Sequence, residues 1–401
     1  MLTKAGVLWG LGEKWSVEEV ELDRPGPVEV MVELAASGLC HSDEHLVTGD
    51  IPIPFPVVGG HEGAGVVTDI GPGVTTVAEG DHVVLTFLPS CGQCRWCSTG
   101  HTNLCDLGGA IILGPQLDGT YRFHARNQDI GQMCLLGTFS SHTVVPAASC
   151  VVIDKDIPLN VAALVGCGVT TGWGSAVYAA DVQPGDAVVV MGAGGIGVNA
   201  VQGARLAGAE MIVAVDPVKF KREQALIFGA THVAKDVDEA WAIVSEATRG
   251  VMAEKAILTT DVAEGAYVAQ ALSLVQKTGL LVVTAIGHPE QTSVDMSLFE
   301  LTLYEKQVKG ALFGSANARA DIPKLLRLYR SGQLKLAELI TRTYPLEDLN
   351  EGYADLRAGL NLRGMIRYGE TSTPASTSGT GRAASSSQQA SATSPPGSTP
   401  S

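Results

Sequence analysis

The chain has 401 residues, 45% of them hydrophobic, which is enough to bury the cores of two domains. Lys plus Arg number 27 against 42 Asp plus Glu, and a formal net charge of −15 argues against a nucleic-acid groove or an anionic membrane as partner. The longest apolar runs, such as Ala187–Met191 and Leu280–Val283, are far too short to cross a bilayer, and Met1–Gly12 lacks the apolar centre of a secretion signal, so a cytoplasmic location is expected.

From the N-terminus, Lys4–Trp9, Trp15–Leu22 and Val28–Ala35 read as strands between turn signals such as Arg24-Pro25-Gly26-Pro27. Gly65–Ile70 and His82–Phe87 continue this irregular β-rich region. A lobe then carries Cys91, Cys94, Cys97 and Cys105 as C-x2-C-x2-C-x7-C. Short loops between thiolates bring soft donors together at little entropic cost, so the run points to a bound metal. A disulfide cluster would suit an oxidising compartment and a small secreted chain, which this is not. Zinc and an iron–sulfur centre both fit four thiolates.

Near Asp181 the pattern changes. The strand Ala187–Met191 enters Gly192-Ala193-Gly194-Gly195-Ile196-Gly197, a G-x-G-x-x-G turn, followed by a small-residue helix from about Gly195 to Ala207 and a strand Met211–Val215. In that pattern Gly192 permits the tight turn, Gly194 admits a pyrophosphate, and Gly197 lets helix pack on sheet. Asp216 ends the next strand, about 20 residues on, where a carboxylate binds the adenosine ribose and repels a 2′-phosphate. The expected cofactor is therefore NAD rather than NADP, although Asp216 also stands where a helix N-cap would. Alternation continues: helix Phe220–Phe228, strand His232–Ala234, helix Trp241–Thr248, strand Lys255–Leu258, helix Gly265–Val275, strand Leu280–Ala285. Such alternation implies parallel βαβ units. Gln307–Phe313 reads as a late strand, followed by a helix Ile322–Ser331 and a terminal strand ending near Tyr368. Thr371–Ser401, rich in Ser, Thr, Ala, Gly and Pro, cannot bury enough apolar surface to order itself and reads as a disordered tail.

Three scattered residues suggest a second metal site. Cys40 lies in Gly38-Leu39-Cys40-His41-Ser42-Asp43, His61 in Gly59-Gly60-His61-Glu62-Gly63, and Cys167 in Gly166-Cys167-Gly168. Two Cys and one His leave the fourth position of zinc open for water or an alcohol. Singly, each is more readily a small buried hydrophobe or a turn residue; it is their joint presence beside a dinucleotide fingerprint that suggests metal.

Together these segments resemble the zinc-dependent medium-chain alcohol dehydrogenases from Lys4 to about Tyr368. The resemblance implies an α/β fold: a GroES-like β-rich catalytic domain with the structural zinc lobe (1–168), a Rossmann doubly wound parallel-sheet domain (169–310) and a C-terminal return (311–370), before the tail (371–401). It also implies two zincs per chain, so that the lobe holds structural zinc. Cys40, His61 and Cys167 become the catalytic ligands, Asp43 the carboxylate orienting His61, and Glu62 a transient ligand. Ser42 and His45 become the proton relay. Thr171 and Ile196 would hold the nicotinamide, Asp216 and Lys221 the adenosine ribose, and His41 and Arg363 the pyrophosphate; Phe87, Ile111 and Leu136 would line the substrate pocket. Assembly as a homodimer or dimer of dimers is expected, with the Gln307–Phe313 strand pairing across a two-fold.

Within the family, Leu39–Thr48, Cys94–Thr99, Asp118–His124, Gly131–Thr138 and Ala320–Pro323 resemble the class III-like nicotinoproteins that accompany the mycofactocin system and reduce nitrosoaniline dyes. That likeness implies oxidation of a primary alcohol to an aldehyde with NAD(H) retained through turnover, and a redox carrier such as mycofactocin as partner. Glutathione-dependent formaldehyde dehydrogenases carry an arginine shortly after the fourth lobe cysteine; Cys105-Asp106-Leu107-Gly108-Gly109-Ala110 has no basic residue, which disfavours glutathione adducts. Asp50 is a candidate for their acidic pocket residue. The rival readings are an ordinary NAD-exchanging dehydrogenase, a thiol-adduct formaldehyde dehydrogenase, and a zinc-free scaffold relative.

Overall fold

The structure, a computed structural model, describes residues 1–294 and 296–369, and the expected tail lies outside them. Residues 1–369 form one compact unit with three sheets. A closed five-stranded barrel joins Leu2–Leu8, Ser16–Leu22, Phe123–Ala125, Gln128–Gln132 and Val57–Val58. Beside it a seven-stranded sheet is centred on Glu29–Gly38, which pairs antiparallel with Gly63–Ile70, His142–Pro146 and Arg363–Arg367. The C-terminal strand is thereby returned to the N-terminal half.

The third sheet has six strands, all parallel: His232–Ala234, Met211–Val215, Ala187–Met191, Ala253–Leu258, Val275–Val283 and Gln307–Gly310, in spatial order. Numbered along the chain this order is 3-2-1-4-5-6, that of a Rossmann sheet. Its central strand, Ala-Val-Val-Val-Met, is buried at every position, as expected for a parallel strand covered on both faces. The order of strand addition reverses between the parallel neighbours Ala187–Met191 and Ala253–Leu258, and ligands bind at such a switch point, beyond the carboxyl ends.

Several elements differ from the sequence reading. The helix after the glycine turn begins at Gly197, because Gly194 and Gly195 make the turn itself and the Asn199 side-chain amide donates to the Gly195 carbonyl at 2.7 Å. The helix from Gly265 ends at Ser273, and Val275 already belongs to the next strand, which runs to Val283. The helix expected from Ile322 begins earlier, at Ala318, and carries Pro323 within it. The late strand stops at Gly310, so its expected continuation to Phe313 is corrected. Phe313 and Gly314 instead adopt left-handed φ of 55° and 62°. Close packing on the helix Gly168–Gly174 explains this: a Cβ on Gly314 would lie 2.4 Å from the Thr171 carbonyl oxygen, and one on Gly174 2.6 Å from that of Gly314.

Candidate active site

A cavity of about 900 Å³ opens at the switch point, with the glycine turn on one side and Cys40, His61 and Cys167 on the other. Gly192 has φ 95°, and a Cβ there would strike the Thr259 carbonyl at 2.6 Å. A Cβ on Gly197 would lie 1.8 Å from the Gly192 carbonyl, whereas at Gly194 it would meet nothing within 4 Å. Two of these glycines are thus required by packing, and Gly194 leaves the backbone open to a phosphate-sized group, with the helix start beyond it. The Asp216 carboxylate accepts from the Ala193 N–H at 2.9 Å and the Val218 N–H at 2.8 Å, bracing the turn from the neighbouring strand. The residue before the following helix is Val218, so Asp216 is not its N-cap. Ile196, Lys221 and Thr171 line the same cavity.

At the other side, three distant segments meet. Cys40 precedes the helix His41–Thr48, His61 precedes the strand Gly63–Ile70, and Cys167 sits at a kink (φ −143°, ψ −84°) between two helical turns. One donor atom from each of Cys40, His61, Glu62 and Cys167 lies within 4.8 Å of the others, all four residues buried. His61 Nδ1 is 3.2 Å from Asp43 Oδ1, which also accepts from the Gly60 N–H at 2.8 Å, while the buried Nε2 has no hydrogen-bond partner. A buried imidazole nitrogen held by a carboxylate on one side and unpartnered on the other suits a metal ligand. Hydrogen bonding with Cys167 holds the Cys40 thiol well below its ordinary range, with His61 and Arg363 adding to this against the effect of burial. This donor set fits zinc.

Glu62 stands behind this cluster. Its Oε1 accepts from Gly168 N–H at 3.1 Å and from Arg363, while Oε2 has no partner. Burial raises its pKa, with the Arg363 charge opposing. Arg363 is 3% exposed and engaged with this carboxylate, yet its side chain also passes the glycine turn: a Cβ on Gly195 would lie 2.5 Å from its Cδ. The expected pyrophosphate residue is thus also the counter-ion of Glu62.

The expected relay residues lie along the helix His41–Thr48. Ser42 Oγ is 3.7 Å from Cys40 Sγ, and His45 Nδ1 is 2.9 Å from Asp50 Oδ2. Asp50, weighed above as a pocket residue, therefore anchors the ring of His45, the histidine expected in the relay. Phe87 and Ile111 line the cavity as expected, and Phe87 lies edge-on to His61 at 5.9 Å and to Phe313 at 5.2 Å. Leu136 does not line it. It is fully buried in the core, and Met133 and Cys134 take the expected place because Cys134 and Leu135 adopt left-handed φ of 55° and 62°.

Cys91, Cys94, Cys97 and Cys105 also converge, with sulfurs within 4.8 Å of one another and none in a disulfide. Cys91 and Cys97 sulfurs are 4.0 Å apart, and those of Cys94 and Cys105 3.9 Å. A tetrahedron with metal–sulfur bonds of about 2.3 Å has edges of about 3.8 Å. Backbone N–H groups of Cys97 and Asp106 pull the Cys94 thiol down to about 6.

Comparison with known proteins decides the family. The alcohol dehydrogenase GroES-like domain matches residues 26–155, and the zinc-binding dehydrogenase domain residues 195–331. An NDMA-dependent alcohol dehydrogenase of Amycolatopsis methanolica is 53% identical over 368 residues, covering 92% of this chain and 99% of that protein. The chain belongs to the zinc-dependent medium-chain alcohol dehydrogenases. Alcohol dehydrogenase B of Mycobacterium tuberculosis (strain ATCC 25618 / H37Rv) is 51% identical over 370 residues, covering 92% and 99%. Among solved structures, benzyl alcohol dehydrogenase from Acinetobacter calcoaceticus superposes with a TM-score of 0.85 at 30% identity, covering 92% of this chain and 99% of that one. An alcohol dehydrogenase zinc-binding domain protein from Burkholderia ambifaria gives 0.86 at 31%, covering 92% and 100%. As a member of this family the protein is an oxidoreductase, which removes the scaffold reading. No single helix among the described residues is long and apolar enough to cross a membrane.

Proposed function

We propose that this dehydrogenase oxidises a neutral, largely apolar primary alcohol to its aldehyde at the buried Cys40, His61 and Cys167 cluster of the cavity, with NAD as a resident hydride acceptor. The observation that carries this is the convergence of Cys40, His61 and Cys167 on the cavity that holds the glycine turn. Bound there, zinc would supply a Lewis acid for the alcohol oxygen and NAD a hydride acceptor. Cys40, His61 and Cys167 would hold the metal, with Asp43 fixing the His61 ring. Ser42 Oγ would take the alcohol proton and pass it towards His45, whose ring Asp50 orients through Nδ1. Phe87, Ile111, Met133, Cys134 and Phe313 would shape the alcohol slot, and their apolar character supports a neutral substrate. The lobe would hold a second, structural zinc.

Retention of NAD(H) and reoxidation by an external carrier such as mycofactocin are supported by the nicotinoprotein resemblance and by the relative named as NDMA-dependent. An NAD-exchanging dehydrogenase is the alternative. Alcohol added to dialysed protein without free NAD should give reduced-nicotinamide absorbance, and turnover should then need an artificial acceptor, with ping-pong kinetics. Colourless, nucleotide-free protein running at full speed on free NAD would overturn retention.

A dimer, in turn one half of any dimer of dimers, is supported by the edge strand Gln307–Gly310, exposed at all four positions, and by Leu298 and Phe299 nearby in sequence, each 69% exposed. Light scattering that finds only monomer at micromolar concentration would contradict it. A cytoplasmic location remains the proposal from the sequence.

A further inference from the structure

Two carboxylates flank the glycine turn, one beyond each strand that neighbours Ala187–Met191. Asp216 follows Met211–Val215 on one side, and Asp261 follows Ala253–Leu258 on the other. Thr259 fastens the Asp261 segment to the turn, its Oγ1 donating to the Gly192 carbonyl at 2.7 Å and the Met191 carbonyl at 3.0 Å. The Asp261 side chain is 56% exposed and lines the cavity. Its Oδ1 is 3.5 Å from His45 Nε2 and 3.8 Å from His41 Nε2. Both separations exceed the about 2.7–2.9 Å of a charge-assisted hydrogen bond, so the three groups converge on a point without closing on one another. Because Asp50 takes His45 Nδ1 at 2.9 Å, Nε2 is the nitrogen left to face Asp261.

A dinucleotide has two riboses, one on each side of its pyrophosphate, and a carboxylate at the end of a strand is a natural acceptor for a ribose diol. We propose that Asp261 is the second ribose-binding carboxylate, accepting hydrogen bonds from the nicotinamide ribose opposite His45, as Asp216 serves the adenosine ribose. Asp261 would thereby fix this ribose beside Ser42 and His45, where a ribose hydroxyl could carry the proton between them. The inference rests on the reading of the cavity as an NAD site.

The test compares wild type, Asp261→Ala, Asp261→Asn and Asp216→Ala as full-length, charcoal-treated protein, by calorimetric affinity for ADP-ribose and for ADP, which lacks the second ribose. Asp261→Ala should weaken ADP-ribose roughly tenfold and leave ADP within about twofold. Asp261→Asn, whose amide oxygen still accepts, should fall between wild type and Ala. Asp216→Ala should weaken both ligands. If charcoal does not strip the wild type, exchange of bound for isotope-labelled NAD is read instead, and Asp261→Ala should exchange about tenfold faster. ADP-ribose affinity unchanged or tighter in Asp261→Ala, equal losses for ADP, equal losses in the Asn and Ala variants, or an unaltered exchange rate would each overturn the inference. If wild type binds neither ligand, the NAD reading itself fails; if only the Asp261 pattern fails, that reading stands.

Discussion

The two thiol clusters reach similar donor geometry from opposite ends of the folding problem. In the lobe, Cys91, Cys94, Cys97 and Cys105 come from one short stretch, held by turns in which backbone N–H groups already point at sulfur: Cys94 N–H to Cys91 at 3.2 Å and Cys91 N–H to Cys105 at 3.3 Å. Three of the four are only partly buried. Cys40, His61 and Cys167 are buried and come from three separate segments, brought together only when the barrel-side sheet and the helix Gly168–Gly174 have packed. A local cluster with little core of its own would need metal to form, and a zinc there would contribute folding energy directly. The buried cluster is preformed by packing, so a metal held there could keep a position open for chemistry.

The largest expected effect is at the buried cluster. His61→Ala or Cys40→Ala should lower kcat at least about a thousandfold while circular dichroism and thermal unfolding remain near wild type, since metal is asked there for chemistry. Substantial residual activity would show that this cluster does not carry the reaction. Next in size, Cys97→Ser should cut soluble yield and lower the unfolding temperature by several degrees, by removing one of four thiolates from a folding-linked site. An unchanged melting curve would erase the distinction between the clusters. Asp43→Asn should be milder, weakening zinc retention at the buried site about 10–100-fold in chelator competition and leaving lobe zinc untouched.

The smallest effect lies outside both clusters. Asp118 is lowered to about 2: burial pushes it up, but hydrogen bonds from Thr120 and Arg122 outweigh that. A carboxylate depressed in the folded state contributes stability that is present above its unfolded value of about 3.9 and lost as pH falls through about 2. Asp118→Asn should therefore lower stability slightly at neutral pH, where the contribution is fully present, and flatten the profile between about pH 4 and 2, where wild type loses it, read by acid unfolding. A neutral-pH effect as large as that of Cys97→Ser would contradict the special weight given to the lobe. The side chain is partly exposed, so solvent screening keeps the contribution modest.

The same contrast explains what could be read from the chain. The lobe and the glycine turn were legible because their chemistry is encoded by spacing within a few residues, and the strands Ala187–Met191 and Met211–Val215 because a parallel strand is a continuous apolar run. The helix His41–Thr48 was not, since Ser, Asp, Glu and His give it no apolar stripe. Leu136 was misplaced because the left-handed turn at Cys134 and Leu135 presents Met133 and Cys134 to the cavity instead. Phe313 and Asp261 reach the site through contacts with residues more than a hundred positions away, such as Phe87 and His45, which no local pattern reports. The -Thr259-Thr260-Asp261- sequence after a strand of the sheet was the one signal available for the latter.

The central claim is two independent zinc sites with different work, and the native mass spectrum of wild type beside His61→Ala tests it most directly. Wild type should carry two zincs per chain, and His61→Ala one, the lobe's, on a folded protein. A single zinc or bound iron in wild type, or loss of both metals in His61→Ala, would contradict it.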